Sequence, residues 1–358
     1  MLRNVILSLS VAFLATVIAF GSFLAADIFS NGYHNTAKEW HDPNTQFDSE
    51  LGWSPIPSRH IRNEWGVISS NSFGFRSKEM DPKKKHIVLL GDSVTWGYGV
   101  GDEETVSYFL EERLKDLNYQ VDNLGVSGYG LDQYYLYLKR HIAQIPNVEK
   151  VILIICTYTD IYDTQNNTSY GKRKPLFHCG LSGLEMPHGR IHKFCLRNMI
   201  AVSPFLQKVS ERSTTLRQFL AGLAGDETLS QKEAELVLRA LIDKMGDLAR
   251  QRGAEFLIVL SPSTLELEGN MKGIEWFKGL CDSGAYPYLN FAEIMRDLMA
   301  KKNDPRKYYY DFWHYNKLGN SLLAETISTY FKLHELQQKT QNQASRDRVS
   351  SDGAVRTL

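Results

Sequence analysis

Ile87-Val88-Leu89-Leu90-Gly91-Asp92-Ser93-Val94-Thr95-Trp96-Gly97 is the stretch that decides how this chain is read. Four consecutive apolar residues closed by a glycine turn read as a short strand buried on both faces, the kind found in a parallel sheet. The turn then presents one serine hydroxyl directly after the strand. A hydroxyl is a useful nucleophile at neutral pH only beside a base. Serine in such a turn is commonly an ST-turn or a helix N-cap, so the stretch alone does not make Ser93 a nucleophile. Near the other end of the chain stands Asp311-Phe312-Trp313-His314, a carboxylate and an imidazole three positions apart. In a tight turn that spacing lets the carboxylate reach the ring Nδ1, hold one tautomer and stabilise the imidazolium formed when the ring takes a serine proton. The aromatic run from Tyr308 to Tyr315 limits water around it. Taken alone, the pair fits a cap on the final helix equally well.

A regular alternation surrounds the opening stretch. His86 to Leu90 is the first predicted strand. Asp102 is the expected N-cap of a helix striped by Val106, Phe109, Leu110, Leu114 and Leu117. Val121 to Leu124 is a short strand ended by Gly125-Val126-Ser127-Gly128-Tyr129-Gly130. A Tyr- and Leu-rich helix spans about 131–143, and Val151 to Cys156 is the most apolar strand. Ser230 and Glu233 form an expected capping box, opening a helix through Val237, Leu241, Met245 and Leu248. Phe256 to Leu260 and Tyr286 to Leu289 are the last strands, with helices near 291–301 and after His314. Five strands alternating with helices predict an α/β fold, a parallel sheet covered on both faces. Sites in such sheets form beyond the carboxyl ends of the strands. Gly91–Gly97, Gly125–Gly130, Thr157–Asp160 and Ser261–Thr264 all follow strands, so they are expected along one edge.

The chain has 358 residues and 43% apolar content, enough for a sizeable core, and equal numbers of basic and acidic residues, 41 each. That balance argues against a general nucleic-acid binder. From Val5 to Ala26 there is no charge, a stretch long enough for one helical span at roughly 20 residues per bilayer core. Phe23-Leu24-Ala25 and Leu24-Ala25-Ala26 are poor cleavage sites, which favours an uncleaved anchor over a secretory signal. Arg3 on the short flank places that end in the cytoplasm and the body outside it. The expected organisation is an anchor or signal segment at 1–29, an irregular lead-in at 30–83, the main domain at 84–337 and a disordered tail at 338–358. A polar insertion at about 164–229 interrupts the main domain. Cys179 and Cys195 in that insertion are candidates for a disulfide in an oxidising compartment. Cys156 reads as a buried thiol, and no cluster of histidines and cysteines points to a metal.

Four features stand in a fixed order. They are Gly91-Asp92-Ser93 after the first strand, Gly128 after the second, Asp160 in the turn after the third, and Asp311 with His314 near the end. Together they resemble the SGNH, or GDSL, hydrolase superfamily of esterases and lipases, over about residues 84–335. Leu51-Gly52-Trp53, Asn71-Ser72-Phe73-Gly74-Phe75-Arg76 and Gly99-Val100-Gly101-Asp102-Glu103-Glu104-Thr105 resemble a branch of that superfamily with an N-terminal membrane helix. The resemblance implies a three-layer α/β/α, flavodoxin-like fold with a five-stranded parallel sheet. It implies Ser93 as nucleophile, His314 as base and Asp311 as its orienter, with the amides of Ser93 and Gly128 as oxyanion donors. The family completes the oxyanion site with an asparagine side chain, and Thr159 stands at that position here. Asn166 or Asn167 nearby could take its place, Asp160 is expected to brace the loops, and Asp92 to shape the nucleophile turn.

The expected function is therefore that of an extracytoplasmic, membrane-anchored serine esterase working through an acyl-serine, with no metal or organic cofactor. Its substrate would be an acyl ester on a glycan or lipid. Two alternatives follow from the same residues. One is an O-acyltransferase or deacetylase acting on an envelope polysaccharide, with a possible membrane partner. The other is a catalytically weak binding module, because one lost oxyanion donor costs roughly a hundredfold or more in turnover.

Overall fold

The computed structural model describes residues 14–23, 26, 43–180, 183–185, 190–191, 208, 212–301 and 304–334. They belong to two compact units. A sheet unit draws on Ser58–Ser127, Tyr137–Asp160 and Ile242–Leu358, and a second unit on Met1–Pro57, Gly128–Leu136 and Ile161–Leu241.

The sheet unit contains five parallel strands: β1 (Lys85–Leu90), β2 (Tyr119–Asn123), β3 (Val148–Cys156), β4 (Glu255–Ser261) and β5 (Tyr288–Asn290). Their order is β5-β4-β3-β1-β2, the flavodoxin-like arrangement. Ile87, Leu89, Ile152, Ile154 and Val259 share one core cluster with Val106, Leu110, Ile274, Phe291, Leu323 and Ile327 from helices. Residues of the opposite parity, Val88, Leu90, Leu153, Ile155, Ile258 and Leu260, are equally inaccessible to solvent. Both faces are therefore covered, which is why these strands read as unbroken apolar runs rather than as alternations.

β2 departs from that pattern because its polar side chains find partners. Gln120 accepts from the Asp81 amide at 3.0 Å and donates to the Glu79 carbonyl at 3.1 Å. The buried Asp122 carboxylate lies 2.6 Å from His86 Nδ1, whose Nε2 lies 2.9 Å from the Asp81 carbonyl oxygen. A buried polar group that is bonded costs little. The strand consequently starts at Tyr119, two residues before the apolar signal.

Three expectations need correction. The lead-in is not irregular: it contains two antiparallel hairpins, Thr45–Asp48 with Gly52–Pro55 and His60–Asn63 with Gly66–Ser69. Each turn is closed by an acceptor side chain, Asp48 Oδ1 on the Leu51 amide and Asn63 Oδ1 on the Trp65 amide, an Asx turn that strands of four residues are too short to announce. Asp102 is not the cap of the helix Val106–Leu114. Thr105 is, its hydroxyl accepting from the Tyr108 amide at 3.2 Å, while Asp102 binds Arg76. Between β4 and β5 lie two unforeseen helices, Thr264–Leu267 and Lys272–Gly284. The first carries its own capping box, Ser263 with Glu266. The expected box of Ser230 and Glu233 is formed, with the Ser230 amide donating to Glu233 Oε2 at 3.0 Å and the Glu233 amide to Ser230 Oγ at 3.4 Å.

The insertion belongs to the second unit and includes two short hairpins and the helix Thr214–Ala224. In the same unit Lys174 and Asp132 form a wholly buried ion pair. Cys179 carries a free thiol, and Cys195, its expected partner, lies outside the described residues. Of the apolar N-terminal stretch, residues 14–23 are helical and exposed. No helix among the described residues is long and apolar enough to cross a membrane. The remainder of the expected anchor, except residue 26, and the tail from 338 lie outside the described residues.

The loop after β2 passes the turn after β1 backbone to backbone. A Cβ on Gly125 would lie 2.4 Å from the Trp96 nitrogen and 2.8 Å from the Thr95 carbonyl carbon. Gly125→Ala therefore forces main chain apart, and overpacking of this kind costs about 1–3 kcal/mol. Urea unfolding should show a lowered midpoint at unchanged slope, and an unaltered midpoint would mean the two loops separate freely.

Candidate active site

Ser93 opens α1 (Ser93–Trp96), a single helical turn that begins where β1 ends. Asp92 caps it, Oδ1 accepting from the Val94 amide at 2.8 Å. The turn is tied down from beneath by Asn123, a buried amide at the end of β2. Its Nδ2 donates to the Thr95 carbonyl at 2.8 Å, and its Oδ1 accepts from the Gly125 amide at 2.9 Å. The serine is thus held on a rigid strand end rather than on a mobile loop.

Ser93 Oγ lies 2.8 Å from His314 Nε2, and His314 Nδ1 lies 2.7 Å from Asp311 Oδ2. An ionised carboxylate only accepts, so Nδ1 carries the ring proton and Nε2 is left to accept from the serine hydroxyl. That is the protonation a general base requires. Ser93 and His314 are each 6% exposed. Asp311 also accepts from the backbone amides of Trp313 at 3.0 Å and His314 at 2.9 Å. Burial pushes the Asp311 carboxyl up, but the bonds from the His314 ring and from those two amides outweigh it and hold the carboxyl below its usual range.

The segment carrying this pair is anchored to the end of β4. The Thr264 amide and hydroxyl both donate to the Phe312 carbonyl, at 2.7 and 3.1 Å. The Tyr309 hydroxyl donates to the Pro262 carbonyl at 2.6 Å, and the Tyr315 hydroxyl lies 2.8 Å from Ser261 Oγ. The Tyr310 amide donates to the His314 carbonyl at 2.7 Å, closing the turn. Tyr98 lays its ring against the imidazole, centroids 4.5 Å apart at 31°. Tyr158 and Trp313 stack beside it at 6.1 Å and 13°.

The other expected residues divide clearly. Asp160 braces the turn after β3, its Oδ2 accepting from the Cys156 amide at 3.0 Å. Asp92 is buried beside the nucleophile, and burial pushes its carboxyl above the usual range against the bond from the Val94 amide and the nearby His314. The Thr159 hydroxyl is buried, favours the charged form of Asp92 only weakly, and makes no well-formed hydrogen bond. Gly128 belongs to the second unit. Asn166 and Asn167 do too, and their amides are committed there. Asn166 pairs with the Tyr162 carbonyl and the Thr228 hydroxyl, and Asn167 with the Gly225 carbonyl and the Glu227 amide. Neither amide is left over for the oxyanion role that the resemblance implied. Asn123, Thr264 and Tyr98 are the contributors that sequence reasoning missed. Asn123 carried a signal, an amide at a strand end two residues before a glycine, and Thr264 closes a loop expected at this edge.

Neither a family model nor a curated protein matches the chain. Solved structures do. A member of the lipolytic protein G-D-S-L family from Veillonella parvula is 13% identical with a TM-score of 0.40, covering 69% of this chain and 98% of that one. A catalytic mutant of an acetylxylan esterase from Geobacillus stearothermophilus is 14% identical with a TM-score of 0.40, covering 68% and 92%. A two-domain esterase active on acetylated mannans is 13% identical with a TM-score of 0.41, covering 70% of this chain and 49% of that one. The likeness lies in the chain trace, and the chemistry rests on the geometry above.

The Asp311 bonds have a pH signature. A carboxyl held below its unfolded value, about 4, stabilises the fold fully above that value and loses the contribution as pH falls through the native one. Asp311→Asn lacks it. The stability gap between wild type and Asp311→Asn, measured by urea titration across pH, should be widest above about pH 5 and narrow steadily below pH 4. A gap independent of pH would show that the carboxylate charge contributes nothing.

Proposed function

We propose that this chain is a serine esterase that cleaves acyl esters through an acyl-serine intermediate. The observation that carries the reading is the unbroken relay of 2.8 and 2.7 Å from Ser93 through His314 to Asp311. Ser93 Oγ attacks the ester carbonyl carbon as His314 Nε2 takes its proton. The imidazolium is stabilised by Asp311 and returns the proton to the departing alkoxide. Water then enters, gives a proton to His314 and releases the acid, restoring the serine. In this reading the Ser93 amide faces the oxyanion from the first turn of α1, where helix N–H groups lack partners inside the helix. The Thr159 hydroxyl, buried and without a well-formed hydrogen bond, is the second proposed donor: a buried polar group left so at a reactive site calls for a role.

The formed relay stands against a binding module. The exposed rings of Tyr158, Tyr310 and Phe312 near the relay favour a substrate with flat apolar faces, such as an O-acylated sugar. A sugar hydroxyl replacing water would make the enzyme an acyltransferase. The uncharged stretch from Val5 to Ala26 supports an anchored, extracytoplasmic location.

A fluorophosphonate probe should label the wild-type protein and not Ser93→Ala. A folded wild type that stays unlabelled would sink the enzyme reading, and a labelled Ser93→Ala would name the wrong serine. Release of acetate from acetylated glycans in water, compared with transfer to an added sugar, separates hydrolysis from transfer. Thr159→Val should keep the melting temperature, since it breaks no hydrogen bond, yet lower turnover by roughly tenfold or more, the scale of a lost oxyanion donor. Unchanged turnover would leave that hydroxyl without a part in the chemistry.

A further inference from the structure

Arg76 is 4% exposed and uses four of the five N–H donors of its planar fork. Its Nε donates to Asp102 Oδ1 at 3.0 Å. One terminal nitrogen donates to the carbonyls of Trp96 at 3.0 Å and Gly97 at 2.7 Å, and the other to the Val100 carbonyl at 2.7 Å. Its guanidinium carbon lies 4.4 Å from the centroid of the Trp96 ring. Ser69 donates to the second oxygen of Asp102. The guanidinium is delivered by a turn that Asn71 folds. Asn71 Oδ1 accepts from the amides of Phe73 and Phe75, both at 3.0 Å, and the Arg76 amide donates to the Asn123 carbonyl at 3.1 Å.

The carbonyls that Arg76 holds belong to one loop, the exit from α1. At the centre of that loop stands Tyr98, whose ring lies against His314. Two further rings back it, Trp65 at 4.5 Å and Tyr310 at 6.2 Å. The path is contiguous: Asp102 fixes Arg76, Arg76 fixes the Trp96 to Val100 backbone, that backbone fixes Tyr98, and Tyr98 walls one face of the imidazole.

We propose that Arg76, anchored by Asp102, is a positioning residue that holds Tyr98 against His314 and so keeps the imidazole in line with Ser93. This rests on the serine-hydrolase reading above and assigns a task to residues outside the relay. Arginine is required because its fork spans three carbonyls and a carboxylate at once, whereas a lysine ammonium is a single point donor. A misplacement of about 1 Å in a reacting group costs on the order of a hundredfold in rate, so a clamp two contacts away can control the chemistry without touching it.

The test measures the saturation kinetics of Ser93 labelling by a fluorophosphonate, which separates the maximal labelling rate from the half-saturating concentration. Arg76→Lys and Tyr98→Ala should each lower the maximal rate roughly tenfold to a hundredfold, with half-saturation within about twofold. The double variant should be no slower than the slower single, because both act through one contact. Losses that multiply in the double variant, a change confined to half-saturation, or a folded Arg76→Lys that labels at the wild-type rate would each overturn the proposal. Should Arg76→Lys fail to fold by circular dichroism, Asp102→Ala, which keeps the guanidinium and removes the acceptor that anchors it, takes its place with the same expectations. An unlabelled wild type would refute the hydrolase reading instead, so the two failures are distinguishable.

Discussion

A Cβ placed on Gly91 would meet Thr95 Oγ1 at 2.0 Å and the Ile154 carbonyl oxygen at 2.8 Å, and one on Gly125 would meet the Trp96 nitrogen at 2.4 Å. At the carboxyl end of β1 the main chain of three segments is packed against itself with no room for a side chain between them. The nucleophile turn has nowhere to move. Asn123 completes the confinement by satisfying the Thr95 carbonyl and the Gly125 amide, two backbone groups that this packing shuts away from water. Unbonded, each would cost on the order of 1–3 kcal/mol. Rigidity at Ser93 is a consequence of backbone packing and not of the serine's own bonds.

The base is held on different terms. His314 lies on a turn outside the sheet, and its place is set by hydrogen bonds from the end of β4 and by rings on either side. Thr264 binds the carbonyl of Phe312, Tyr309 and Tyr315 reach the Ser261–Pro262 corner, and Tyr98 covers one face. Nucleophile and base are thus positioned by separate parts of the sheet edge, and the relay forms only because parallel strands deliver all these loops to one edge. Charge near the relay is uneven. Asp311, half open and richly bonded, is held in its ionised form, whereas Asp92, buried beside the serine, is pushed toward protonation. Two carboxyl groups near one imidazole therefore differ in character through burial and bonding.

Much of the fold was legible in the chain. The apolar runs of β1, β3 and β4 admit no solvated residue, so they mark central strands of a covered parallel sheet, and the carboxyl-end rule places Gly91–Gly97 at the site. The capping box at Ser230 was readable because it is local. What failed to show was anything whose partner lies far along the chain. β2 hid its first residues because Gln120 and Asp122 look solvent-facing until Asp81 and His86 are seen to bind them. Asp102 read as a helix cap because its chain position fits one, while Arg76 claims it in space. Asn166 and Asn167 read as available amides, yet both are spent on neighbours in the second unit.

By itself the sequence determined the strand order along the chain, the strand-end turn that carries Ser93, and the three-residue spacing that lets Asp311 reach its own histidine. Each of these follows from local periodicity or the reach of a short segment. Only the tertiary structure decided that Ser93 Oγ and His314 Nε2 stand 2.8 Å apart, that Asn123 and Arg76 serve the loops around them, and that the Thr159 hydroxyl is left without a well-formed bond. The physical reason is that hydrogen bonds and ring contacts between distant segments depend on angstrom-scale placement, which residue type does not encode until the sheet brings the segments together.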